Sequence, residues 1–263
     1  MKTRRIFPVV ILLLITISQL VAVFPASGQE QSKGKFHVLA LYENGGHHLA
    51  FTNAAVPWLR QLAADSSFEI DFLTRTDSIN IGMLSRYQLF FQLDFPPYGW
   101  KPEAATAFQQ AIDSGKIGWI GLHHASLLGE FDGFPMWTWF WEFMGRIRFK
   151  DYIRDFSGGT VMVEDSAHPV MKHLGATFRI EQEEWYTYDK SPRQQVKVLA
   201  RVDESSYIPP SPVRMGDHPV IWTNPAYPAR NVYIFMGHSP GLFSDPAWQQ
   251  LLRNAVNWAA GHN

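Results

Sequence analysis

Five histidines of this chain follow apolar runs, and two glutamates open a cluster of aromatics. His123 and His124 end the run Ile117 to Leu122. His47 and His48 follow Phe36 to Tyr42 across Glu43-Asn44-Gly45-Gly46, and His238 follows Val232 to Met236 across Gly237. An imidazole, with an ordinary pKa of ~6.5, exchanges protons near neutrality and binds metals when neutral. General acid–base work and metal ligation are therefore the chemistries on offer. Glu183-Glu184-Trp185-Tyr186 adds carboxylates that can orient a histidine, ligate a metal or act as a base. Each group also has a plain structural reading: a hydrogen-bonded histidine at a strand end, or a solvated acidic edge. A one-residue error in a strand end reverses which histidine of a pair faces the site, so both members of each pair stay candidates. His168-Pro169 and His218-Pro219 read as the starts of turns. His37 and His262 read as bystanders.

Composition removes several alternatives. With no cysteine, thiolate nucleophiles, thiolate metal ligands, disulfides and a lipoprotein anchor are excluded. No His-Glu-x-x-His occurs, so no cofactor is expected from a motif. A divalent metal held by several histidines and Glu184 is the open alternative. Neither Gly-x-Gly-x-x-Gly nor a P-loop follows a strand, and Gly-x-Ser-x-Gly is absent. Nucleotide binding and ordinary serine hydrolysis thereby lose their support. The ten tryptophans fit either a thick core or an aromatic wall for a sugar.

Lys2, Arg4 and Arg5, the apolar stretch Ile6 to Phe24 and the small residues Ala26-Ser27-Gly28 read as a secretory signal peptide over residues 1–28. A secreted or periplasmic protein is expected, with no stable membrane insertion after cleavage. Membrane anchoring by the uncleaved segment is the alternative, since about 20 apolar residues span a bilayer. Removing residues 1–28 takes the formal net charge from −1 to −4, which gives no electrostatic reason to expect nucleic acid.

The remaining chain must position the histidines. Strands are expected at Phe36 to Tyr42, Phe68 to Leu73, Gln88 to Leu93 and Lys116 to Leu122. Helices are expected at Ala50 to Ala64, Ile81 to Ser85 and Pro102 to Ser114. This alternation predicts a doubly wound parallel sheet, whose ligands bind beyond the carboxyl ends of the strands. Met136 to Met144 is apolar nearly all round and reads as a buried helix or an aromatic wall. From Thr160 onward come short strands at Thr160 to Val163, Phe178 to Ile180, Val196 to Ala200, Val220 to Thr223 and Val232 to Met236, which can extend the sheet antiparallel. Asp245 caps a closing helix to Ala260.

Gly121-Leu122-His123-His124-Ala125, Glu184-Trp185-Tyr186, Pro219-Val220-Ile221-Trp222, Met236-Gly237-His238 and Asn254 to Gly261 together resemble the ThuA-like family of trehalose-utilisation proteins. The resemblance runs over residues 35–261 as one domain. It implies an α/β fold, a flavodoxin-like, class I glutamine amidotransferase-like three-layer sandwich with a mainly parallel central sheet. In those amidotransferases a cysteine occupies the sharp turn after the central strand. The matching position here is similar to His123, and His238-Ser239-Pro240 resembles the segment carrying their catalytic histidine. Without cysteine, glutamine hydrolysis through a thioester cannot operate.

The resemblance further implies carbohydrate metabolism, a functional link to a sugar dehydrogenase, and a small sugar, such as a 3-keto glycoside or disaccharide, as substrate. On that reading His123, His124, Glu184 and His238 are the catalytic candidates. His47, His48, Tyr186 and Trp185 are the candidate substrate-binding residues. Isomerisation, elimination or hydrolysis remain open, as do a non-catalytic carbohydrate-binding role, a metal-dependent hydrolase and the oligomeric state.

Overall fold

Successive residues of a strand point to opposite faces of its sheet, and one pair in the middle of this protein shows what lies on each face. Gly118 backs onto the carbonyl of Ala259 in the closing helix. The next residue, Trp119, packs its ring on Phe140 and Phe143. Helices therefore cover both faces, as a sheet of continuous apolar strands requires. The computed structural model describes residues 35–66 and 68–262, and the signal peptide expected over residues 1–28 lies outside them.

In chain order the elements are β1 (His37–Leu41), α1 (Leu49–Ser66), β2 (Glu69–Leu73), α2 (Ile81–Leu84), β3 (Leu89–Gln92), α3 (Pro102–Asp113), β4 (Gly118–Leu122) and α4 (Thr138–Phe143). There follow β5 (Phe149–Tyr152), β6 (Ser157–Val163), β7 (Thr177–Glu183), β8 (Tyr186–Tyr188), β9 (Lys197–Ile208), β10 (Pro219–Thr223), β11 (Asn231–Ile234) and α5 (Pro246–Ala259). Asp245 caps α5 as expected, its carboxylate accepting from the amides of Ala247 and Trp248.

The main sheet has the order β2-β1-β3-β4-β11-β10-β9-β6-β7. Strands β2, β1, β3, β4 and β11 run parallel. The four pairings from β11 to β7 are antiparallel, the extension that the short strands of the second half predict. Four reversals restore the original direction, so β7 ends on the same edge as β1, β4 and β11. That edge receives His48, His123, His238 and Glu184.

Two expectations need correction, and one small sheet had none. The helix expected over Met136 to Met144 shrinks to Thr138–Phe143, with Phe140 and Phe143 buried but Trp137, Trp139 and Trp141 only partly so. Those indoles shelter on neighbouring rings, and Trp139 stacks on Phe143 at 5.3 Å. The strand expected over Val196 to Ala200 continues to Ile208; beyond Ala200 its polar residues alternate with buried ones and mask the apolar run. Finally, β5 and β8 form a separate two-stranded sheet that no hydrophobic period announced, because polar Lys150 and Asp151 interrupt β5.

The contact of Gly118 with α5 gives a direct test. A methyl group there would fall on the Ala259 carbonyl oxygen, which belongs to backbone and cannot swing away. Gly118→Ala should lower stability by about 1–3 kcal/mol or more, the usual cost of overpacking. Gly45→Ala, where a Cβ meets nothing within 4 Å, should leave the thermal midpoint nearly unchanged in the same denaturation series.

Candidate functional site

Strand β4 is buried along its whole length and stops at Leu122, where residues His123 to Ser126 make a single 3-10 turn. The sharp turn expected after the central strand is there, and His123 occupies it at φ 34°. A side chain in that region costs about 1–3 kcal/mol and persists only where its surroundings over-determine it. Here the His123 carbonyl accepts hydrogen bonds from Ser126 Oγ at 2.8 Å and Tyr233 OH at 3.0 Å, and Tyr188 OH bonds Ser126 Oγ. Gly237 completes the arrangement. A Cβ there would lie 2.9 Å from the Cβ atoms of both Leu122 and His123, so only glycine brings the β11 end this close to the β4 end.

The ring nitrogens then meet. His238 Nδ1 lies 2.9 Å from Glu184 Oε2, 3.1 Å from His48 Nε2 and 3.3 Å from His123 Nε2. His123 Nε2 is 3.4 Å from the same Glu184 oxygen, and His123 Nδ1 lies 3.2 Å from the Phe235 carbonyl. Since a carbonyl only accepts, that last contact puts the hydrogen on His123 Nδ1. His48 comes from the 3-10 turn Gly46–His48 ahead of α1 and is buried.

Glu183 fastens these ends together. Fully buried, it accepts from the backbone N–H groups of Glu184 at 2.9 Å, Gly237 at 3.0 Å and His238 at 3.2 Å. Burial pushes its carboxyl up, while His123 and the amide donors pull in the other direction. Burial also opposes charge on Glu184, but the neighbouring His123 and His238 rings outweigh it and hold that carboxyl below the ordinary range. His48 and His124 are both pushed down, first by burial and then by neighbouring imidazoles, so each stays neutral. Tyr186, its ring 4.3 Å from that of His123, is pushed well above the usual phenol range by burial and by Glu184.

A cavity of ≈ 430 Å³ opens over the cluster, lined by His47, His48, His124, Phe149, Tyr152, Arg154, Phe156, Glu184, Tyr186 and His238. That volume falls in the small-ligand range of ~300–1,000 Å³. Cavities of similar size beside Glu181 and beside Tyr98 hold no histidine.

The structure thus brings together His48, His123, His124, Glu184, Tyr186 and His238, with His47 exposed at the rim. Trp185 stands apart. It is fully buried, donates from Nε1 to the Ser157 carbonyl and stacks on Phe235, so it supports the site from below and does not line it. The alternation along residues 183–186 explains this: Glu183 and Trp185 face the core, Glu184 and Tyr186 the cavity. His218 pairs with Glu204 in another part of the core, and His168 caps the turn Pro169–Met171. His37 lies beside Glu69 at the start of β1. The walls Phe149, Tyr152, Arg154 and Phe156, on β5 and the loop after it, carry no signal in the sequence. Also missed was the role of buried Asp94, which accepts from the Glu43 amide while its other oxygen has no partner. Its position at the end of β3 was the available signal.

Several groups within ≤ 4.8 Å of one another could hold a metal ion: His48, His123 and His238, and separately Glu43, His48 and His124.

Comparison with known proteins agrees with the fold. The trehalose-utilisation family, ThuA, matches over residues 37–259. The crystal structure of a ThuA-like protein from Bacteroides uniformis ATCC 8492 superposes with a TM-score of 0.78 at 29% identity, covering 90% of this chain and 95% of that one. A ThuA-like protein from Parabacteroides merdae ATCC 43184 gives 0.66 at 18% identity, covering 86% and 90%. The glutaminase domain of Trypanosoma brucei CTPS gives 0.51 at 10% identity, covering 85% and 94%, a likeness of fold alone. No curated protein matches.

Asp94, just beyond β3, offers a pH test. Burial pushes its carboxyl up to about 8, so the folded protein keeps a proton there that the unfolded chain has lost. Between pH 4 and 8 the native state binds more protons at this residue, and stability falls as pH rises, by at most about 1.4 kcal/mol per pH unit. In Asp94→Asn this contribution vanishes. Denaturation at pH 5 and pH 8 should show a smaller loss for the variant than for the parent; equal losses would contradict the assignment.

Proposed function

This chain belongs to the ThuA family of trehalose utilisation, and from that premise we propose that it is an exported enzyme acting on oxidised glycosides beside a ketone. The observation that carries this reading is the position of Glu184. Its carboxylate stands on the cavity wall, 14% exposed, within 3.4 Å of two ring nitrogens.

A ketone at C3 of a sugar acidifies the proton on C2. With the carbonyl oxygen turned toward the histidine cluster, Glu184 takes the C2 proton and the C–H electron pair becomes the C2–C3 double bond. The negative charge passes to the carbonyl oxygen, where donors on the cluster and Tyr186 stabilise it. From that enediolate, return of the proton to C3 while the O2 hydroxyl passes its own proton to the C3 oxygen moves the carbonyl to C2 and gives an isomer. Alternatively, expulsion of the C1 oxygen forms a C1–C2 double bond and releases the aglycone once it gains a proton. A dehydrogenase class of reaction would supply the ketone.

We assign the base role to Glu184 in preference to the two histidines of the β4 turn. His123 is fully buried, with both nitrogens engaged. His124 Nδ1 is buried without a partner, 3.9 Å from Glu43. Those two residues shape the electrophilic side of the site. Phe149, Tyr152, Phe156 and Tyr186 supply apolar faces for a pyranose ring, and Arg154 supplies donors for its hydroxyls.

Proton NMR in D2O with a 3-keto glycoside tests the reading. The protein should exchange the C2 proton or release the aglycone. Glu184→Gln should slow either process by about 10²–10⁴-fold, the usual contribution of a general base, while still binding the sugar. Undiminished exchange in the variant would remove Glu184 from the chemistry. Sugar binding by the parent with no exchange or cleavage would instead indicate a carbohydrate-binding protein.

A further inference from the structure

The contacts around His238 Nδ1 pose a problem in hydrogen placement. This nitrogen carries one hydrogen or one lone pair, never both, yet three polar atoms crowd it within 3.3 Å. If it donates to Glu184, nothing is left for the His48 or His123 nitrogens. If it accepts from one of them, it faces the Glu184 carboxylate with a lone pair. His123 sharpens the conflict. With its Nδ1 hydrogen committed to the Phe235 carbonyl, a neutral ring presents a lone pair at Nε2, toward two other acceptor atoms. No arrangement of hydrogens among neutral rings satisfies all four contacts.

A cation at the point of convergence satisfies them together. Donors at about 2.0–2.1 Å from a tetrahedral ion lie about 3.3–3.4 Å from one another. Here His238 Nδ1 stands 3.1 Å from His48 Nε2 and 3.3 Å from His123 Nε2, and the three nitrogens all lie within 4.8 Å of one another. A metal-bound imidazole characteristically gives its other N–H to a carbonyl or carboxylate, which fixes the tautomer, and the Phe235 carbonyl does this for His123. The ligand types, three imidazoles, suit zinc and its neighbours among the divalent transition metals better than calcium or magnesium.

We propose that His48 Nε2, His123 Nε2 and His238 Nδ1 form a three-histidine site for a divalent transition metal, with Glu184 at its open side. The three histidines descend from three different strand ends, β1, β4 and β11, so the site exists only in the folded chain. A second possible group, Glu43 with His48 and His124, shares His48 and competes for it. The first is favoured because its nitrogens already converge, whereas His124 Nδ1 stands 3.9 Å from the nearest Glu43 oxygen. An ion in the three-histidine site faces the cavity beside Glu184. It supplies there the positive pole that a ketone oxygen needs as its α-proton leaves. In this respect the inference rests on the sugar reading above, but its test reads metal alone.

The purified protein, stripped with chelator and dialysed, would be titrated with zinc chloride by calorimetry and its metal content measured after gel filtration. One zinc per chain is expected, and cobalt(II) in its place should give the visible absorption of a low-symmetry, four- or five-coordinate ion. His238→Ala and His48→Ala should each weaken zinc binding at least tenfold. Glu43→Gln should leave it within about threefold of the parent, and circular dichroism should show all variants folded. Retained zinc with no C2 exchange would sink the sugar reading and leave this one standing. Exchange by a protein that binds neither zinc nor cobalt would do the reverse. Failure of the parent to bind zinc or cobalt overturns the proposal, as does zinc lost in Glu43→Gln but kept in His238→Ala.

Discussion

A buried carboxylate holds this site in shape. Glu183 has no access to solvent and spends its oxygens on the amides of Glu184, Gly237 and His238. Desolvating a carboxylate is expensive unless hydrogen bonds replace the lost water, and these amides supply that replacement. The consequence reaches beyond local stability. The end of β7 and the end of β11 are separated in the sheet by three other strands, and Glu183 ties them together. His238 and Glu184 meet because the residues that bear them are fastened to the same carboxylate.

Close backbone approach does the rest. Gly237 lets the β11 end lie against Leu122 and His123, and the strained His123 turn is pinned by Tyr233 and Ser126. In the likeness to a glutaminase domain the same scaffold is recognisable, yet this chain has no cysteine with which to form a thioester. A shared fold does not carry a shared chemistry. An imidazole sits in the sharp turn, and around it stand other imidazoles and a carboxylate.

Much of this arrangement was legible in the sequence, for a physical reason. Parallel strands buried on both faces are apolar throughout, so β1, β4 and β11 announce both themselves and the polar residues that end them. The pairs His47-His48 and His123-His124 and the lone His238 could be named on that basis, though not which member of each pair faces the site. What lay hidden depends on direction and on distance in the chain. The assignment of Trp185 to the ligand failed because residues 183–186 alternate between core and cavity, and Trp185 falls on the core side with Glu183. The same alternation was the clue to separating Glu183, the clamp, from Glu184, the cavity carboxylate. The walls on β5 had no period to reveal them, since a four-residue strand over a cavity is neither alternating nor wholly apolar. Nor could any local pattern show that four antiparallel pairings would return β7 to the same edge as β1.

The clamp is best tested in Glu183→Gln, a change of nearly equal volume that swaps one acceptor oxygen for an NH2 group facing backbone N–H donors. The measurement is a set of nuclear Overhauser contacts among histidine ring protons, recorded for the parent and the variant alongside circular dichroism. The parent should show contacts from the His238 ring to those of His48 and His123, whose centroids lie 4.2 and 5.1 Å away. In the variant these contacts should disappear while the helical and strand signals persist. Unchanged contacts in a folded variant would mean that the histidines converge without Glu183, and that the site owes its shape to something else.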